Sequence, residues 1–163
     1  MRFFQGVLLL TAVLAGASHA DPQREIPEAR EIEQSERSQQ FGSYTVHFSV
    51  FNSAFVPPKV AQAYGITRAR DQALINISVT KTESGQTSLG LPAQVSGTAK
   101  NLIQQLQTLK FREVDEGNAT YYIAPLKHSN EEMYHFAIDV APEGAEQSFT
   151  VNFSRKLYRG EDS

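Results

Sequence analysis

The sequence contains no cysteine and no tryptophan. Without thiols there can be no disulfide, no thiolate metal site and no anchoring through a lipidated cysteine, so the fold rests on its core alone. Histidine is scarce, with four in the chain, and one of them, His19, lies in the N-terminal segment. Basic residues are not in excess: 15 Lys and Arg against 18 Asp and Glu give a formal net charge of −3, which argues against a nucleic-acid partner. Long apolar runs are also missing. The single candidate, residues 7–15, is too short to span a bilayer, so no membrane insertion of the mature chain is expected. No G-x-S-x-G elbow, Walker loop or dinucleotide fingerprint occurs, so no cofactor and no enzymatic activity are expected.

What is present begins with an export pattern. Met1-Arg2 is a short basic start, residues 7–15 are apolar, and Ser18 and Ala20 put small residues at the positions that a signal peptidase reads. Residues 1–20 are therefore read as a signal peptide cleaved after Ala20. Residues 21–40 are charged, with only Ile26 and Ile32 strongly apolar, and read as a flexible arm that buries too little surface to order itself. Residues 41–158 carry the core pattern, and 159–163 form a short tail.

Within 41–158, Tyr44, Val46, Phe48 and Val50 alternate with Thr45, His47 and Ser49. Period two with one apolar side marks a strand with one buried face. The same pattern recurs at Ala73, Ile75, Ile77 and Val79, at Tyr134, Phe136, Ile138 and Val140, and at Phe149, Val151, Phe153 and Leu157. Pro142-Glu143-Gly144 is turn chemistry joining the last two runs into a hairpin. Leu102, Ile103, Leu106 and Leu109 sit at helical spacing, so that segment reads either as a helix or as a strand with a bulge near Asn101. The turn residues of 115–118, DEGN, precede the β-rich stretch ATYYIAPL. The sum is an all-β, immunoglobulin-like antiparallel β-sandwich of about seven strands with one short crossover helix.

That helix is expected in FVPPKVAQAYGITRAR, residues 55–70. Pro57-Pro58 suits a first helical turn and Gly65 a C-terminal cap. Packing accounts for Pro58, Val60, Ala61 and Gly65. It does not account for Asn52, Tyr64, Arg68 and Arg70, where an aromatic and two arginines near one another have the composition of an interaction hot spot. His47 and His135 are the starting candidates for a ligand or metal pair reaching across the sandwich. Both fall on polar strand faces, where solvated histidine is the commoner state.

FGSYTVHFSVFNSAFVPPKVAQAYGITRARDQALINISV, with the later VSGTAKNL and FREVDEGNATYYI, resembles the DUF4426 family over about residues 38–158. The segments F-N-S-x-F, A-Y-G-I-x-R and A-L-x-N-I-S-V carry the resemblance together. It implies an exported, periplasmic protein of Gram-negative bacteria with an immunoglobulin-like sandwich, and it implies no activity. The expectation is a non-enzymatic module that binds an unidentified envelope protein or component, with Asn52, Tyr64, Arg68 and Arg70 as the contact. The alternative is a periplasmic small-molecule or metal carrier.

Overall fold

The structure, a computed structural model, describes residues 37–160. The expected signal peptide and most of the expected arm lie outside the described residues. Ten strands follow in order: β1 (Ser38–Phe41), β2 (Tyr44–Asn52), β3 (Gln72–Glu83), β4 (Gln86–Thr87), β5 (Ala93–Asn101), β6 (Leu106–Leu109), β7 (Arg112–Asp115), β8 (Thr120–Lys127), β9 (Glu132–Pro142) and β10 (Phe149–Leu157). A short helix, α1 (Pro58–Ala63), lies between β2 and β3. The first sheet has the order β1-β2-β3-β8-β7, with β4 paired to β3, and the second has the order β10-β9-β5-β6. All pairings are antiparallel.

This is the expected all-β sandwich, with ten strands instead of about seven. The surplus consists of short strands. One of them, β1, begins at Ser38, so three residues assigned to the charged arm pair with β2, Ser38 lying opposite His47.

Alternation builds the core. Val46 and Phe48 from β2, Ala73, Ile75, Ile77 and Val79 from β3, and Tyr122, Ala124 and Leu126 from β8 face Tyr134, Phe136, Ile138, Val140, Phe149 and Val151 of the second sheet. Phe153 stitches the sheets together. Its ring stacks at 4.3 Å on Phe48 and at 4.8 Å on Phe136. A fully buried aromatic contributes about 1.5–3 kcal/mol relative to exposure, and the half-buried Phe153 contributes part of that. β1 is tied in by Phe41, which stacks on Phe149 at 4.8 Å.

The segment left open between helix and strand is a tight hairpin. β5 ends at Asn101, residues 102–105 turn, and β6 runs back with Lys100 opposite Leu106 and Gly97 opposite Leu109. Asn101, only 2% exposed, closes the turn. Its Oδ1 accepts from the Gln105 amide at 2.9 Å, and its Nδ2 donates to Gln105 Oε1 at 2.9 Å and Glu132 Oε1 at 2.7 Å. The helical spacing is therefore coincidental. Leu109 joins the core, while Leu102, Ile103 and Leu106 face solvent.

Glu132 is the hub of this end. The Ser129 amide donates to its Oε2 at 2.8 Å. Burial by itself would push the carboxyl up, but the bonds from Ser129, Asn101 and Tyr134 and the nearby His128 outweigh it and hold Glu132 below the ordinary value of 4.5. Tyr134 is pushed up to about 12, by burial first and then by Glu132. A carboxyl whose value is depressed by folding stabilises the fold above its unfolded value and loses that contribution as pH falls through the folded value. Glu132→Gln is therefore expected to cost about 1 kcal/mol at neutral pH. It should also flatten the loss of thermal midpoint below pH 4.5 relative to wild type. Parallel pH–melting curves for the two proteins would count against this assignment.

Candidate functional site

The crossover leaves β2 at Asn52 and re-enters the first sheet at Gln72. A 3₁₀ turn over Ser53–Phe55 comes first, and α1 follows with proline in its first turn. Tyr64 caps the helix, and Gly65 takes the left-handed conformation with φ 60°. Val56 and Ala61, with Ile66 packed against them, cover Leu74 on the outer face of β3. Most of this sheet's outer face is open, but its β3 corner has a small second core.

The four residues singled out in the crossover serve different places. Asn52 is 7% exposed and fully employed. Its Oδ1 caps the 3₁₀ turn by accepting from the Ala54 amide at 2.9 Å, and its Nδ2 donates to the carbonyls of Arg70 at 2.7 Å and Tyr158 at 3.4 Å. Arg70 donates from Nε to the Gly160 carbonyl at 2.8 Å, and the Gly160 amide returns a bond to Arg70 at 3.0 Å. Asn52 and Arg70 thus knot the crossover to the C-terminal segment. Arg68 is exposed and donates to the Ala54 carbonyl at 2.8 Å. Tyr64, at the far end of α1, donates to Glu116 Oε1 at 3.0 Å, a bond that raises its hydroxyl above the ordinary phenol value.

His47 and His135 do not meet. Val46 and Phe48 point inward on β2, as do Tyr134 and Phe136 on β9, so the two imidazoles project from opposite outer faces with the core between them. His47 bonds to Thr80 Oγ1 at 3.0 Å, and partial burial lowers its basicity. His135 bonds to Ser154 Oγ at 2.6 Å. Among the described residues no group of three or more His, Asp or Glu side chains gathers as a metal ion would require.

The structure adds a feature that sequence reasoning missed. A cleft of about 280 Å³ opens between the end of the crossover and the outer face of the first sheet. Leu74, Ile123 and Pro125 form its apolar floor, Gly65, Ile66 and Thr67 one wall, and Lys110 and Arg112 the opposite rim. The register explains the grouping, because Leu74 lies opposite Pro125 and Arg112 opposite Ile123. Gly65 makes room for the rim: a Cβ there would stand 3.3 Å from Arg112 Nη1. The side chains of Lys110 and Arg112 have no hydrogen-bond or ion-pair partner among the described residues. Elsewhere in the fold, Lys81 pairs with Glu83 and Lys156 with Glu131. One sequence signal could have pointed here: Leu74 breaks the alternation of its strand with a second aliphatic beside Ile75. The structure buries both, as happens where a strand is covered on both faces.

The fold defines a two-sheet antiparallel β-sandwich whose first sheet is partly roofed by a helical crossover. The chain belongs to the family described as "Domain of unknown function (DUF4426)", whose model matches residues 38–160. A crystal structure of a DUF4426 family protein from Pseudomonas aeruginosa PAO1 is 37% identical, covers 78% of this chain and 98% of its own, and superposes with a TM-score of 0.66. Copper-bound FetP of uropathogenic Escherichia coli strain F11, a variant protein, is 12% identical with a TM-score of 0.54, covering 79% of this chain and 94% of its own. FetP as isolated gives a TM-score of 0.53 at 12% identity, over 77% and 95% of the two chains. The FetP likeness shows the shared fold alone. A search of curated proteins finds no match to the chain. Among the described residues no helix is long and apolar enough to cross a membrane.

Proposed function

We propose that this protein is a non-enzymatic binding module of the bacterial cell envelope, exported to the periplasm, and that the cleft beneath the crossover is its binding site. The observation that carries the reading is the cleft itself, where an apolar floor meets two cations that have no partner among the described residues, on a chain of net charge −3. A concave apolar surface with a few convergent polar groups is the usual form of a ligand site. The export pattern of residues 1–20 supports the compartment. The non-enzymatic reading rests on the sequence, in which no G-x-S-x-G elbow, Walker loop or dinucleotide fingerprint occurs.

Carriage of copper, the ligand named for FetP, draws no support from the separated His47 and His135. The four crossover residues expected as the contact divide in this reading. Asn52 and Arg70 hold the chain together, and Tyr64 and Arg68 remain as neighbours of the cleft wall.

In-cell photo-crosslinking tests the site. A photoreactive residue in place of Thr67, exposed on the cleft wall, should capture an adduct, and the same residue in place of Gln94, exposed on β5, should not. The adduct mass separates a protein partner from a small ligand. Equal capture at the two positions, or none at Thr67, would count against the cleft.

A further inference from the structure

We propose that the cleft is specific for a carboxylate carried on a short aliphatic chain, a medium-chain acyl carboxylate; this rests on the reading of the cleft as the binding site.

The floor sets the apolar half of the ligand. Leu74, Ile123 and Pro125 offer no hydrogen-bonding side chain, and a volume of about 280 Å³ lies at the small end of ligand pockets, which suits a single chain more than a fused ring system. The rim sets the charged half. Lys110 and Arg112 are exposed, and neither forms an ion pair among the described residues. Glu113 follows Arg112 on β7, so it points to the opposite face, where it accepts from Tyr122 at 3.4 Å. Glu116 is bonded to Tyr64.

The remaining donors choose among anions. The Gly65 amide is already donated to Gln62 at 3.3 Å and the Ile66 amide to Ala61 at 2.7 Å, both closing the end of α1. Gln72 donates its side-chain amide to the Thr67 carbonyl at 2.9 Å. With the Gly65 and Ile66 amides both bonded, the wall offers no run of successive free amides of the kind that cradles a phosphate. Two side-chain cations on one rim match the two oxygens of a carboxylate, with the Arg112 fork able to bind them in bidentate fashion.

The test is a titration of the ¹⁵N-labelled mature chain at low salt, followed by amide shifts, with octanoate, octanol and octylammonium as probes. Octanoate should shift Gly65, Ile66, Thr67, Arg112 and Ile123, and should bind about tenfold tighter than octanol. The double variant Lys110→Gln/Arg112→Gln should lose about that factor for octanoate and leave octanol unchanged. Raising the salt should weaken octanoate alone, because exposed cations are screened. The spectrum of the variant reports its fold in the same experiment. If octanol or octylammonium binds the same amides as tightly as octanoate, the carboxylate assignment fails while the cleft stands. If no probe moves these amides at millimolar concentration, or octanoate moves a different set, both the assignment and the cleft reading fail.

Discussion

Asn52→Ala should lower the thermal midpoint by roughly 10 °C, corresponding to about 3 kcal/mol in a domain of this size. The expectation follows from what one buried amide does. It caps the 3₁₀ turn through Ala54 and holds the carbonyls of Arg70 and Tyr158, bringing together chain segments 106 residues apart. Losing a cap costs about 1 kcal/mol, and leaving partly buried partners unsatisfied adds about 1–3 kcal/mol. Gly160 packs directly against this amide: a Cβ at that position would lie 3.2 Å from Asn52 Oδ1. The cavity left by alanine therefore has a close wall on the C-terminal side. Asn52→Asp provides the control. It can still accept from Ala54, but it sets a carboxylate against two carbonyls and should be no more stable than the alanine variant. An unchanged midpoint combined with lost binding would return Asn52 to the surface role suggested by its place in the crossover.

The long strands were legible because each buries one face completely, so a period-two pattern survives over many residues. β2, β3, β9 and β10 are of this kind. The short strands left no such trace. Both residues of β4, Gln86 and Thr87, are exposed, and β7 contributes only Val114 as a half-buried residue. Edge strands of this length are fixed by backbone pairing with a neighbour, which composition does not encode. The misleading helical spacing at 102–109 has a related cause. Three of its four aliphatics face solvent, so their spacing answers to no packing constraint.

The site was legible to a lesser degree. Pro57-Pro58 and Gly65 announced the helical crossover from local chemistry alone. The role of Asn52 depends on the Tyr158 carbonyl, and the cleft is assembled from 65–67, 72–74, 110–112 and 123–125, segments far apart in the chain that strand pairing brings together. A polar residue beside a predicted helix looks like a contact residue until its partners are known.

Gly90→Ala should be at least as damaging, costing about 3 kcal/mol or more. Gly90 lies on the segment that carries the chain from β4 in the first sheet to β5 in the second. There it passes so close to Thr120, the first residue of β8, that an added Cβ would fall within contact distance of the Thr120 carbonyl oxygen, amide nitrogen and carbonyl carbon. All three are backbone atoms, so no change of rotamer relieves the clash. The main chain itself must withdraw, which endangers the bond from the Thr120 amide to the Gly90 carbonyl at 3.0 Å and the neighbouring bond from the Leu91 amide to Val79 at 2.8 Å. Each lost bond is worth about 1 kcal/mol, and displacement of a packed backbone adds about 1–3 kcal/mol. Leu89→Ala is the matched control, since Leu89 is 56% exposed and should change stability by no more than about 0.5 kcal/mol. Equilibrium denaturation of the two variants compares them directly. If Gly90→Ala behaved like Leu89→Ala, the β4–β5 connection would be yielding at little cost. A large loss confined to Gly90→Ala would show that the close backbone approach at Thr120 fixes how the connection between the sheets docks against β8.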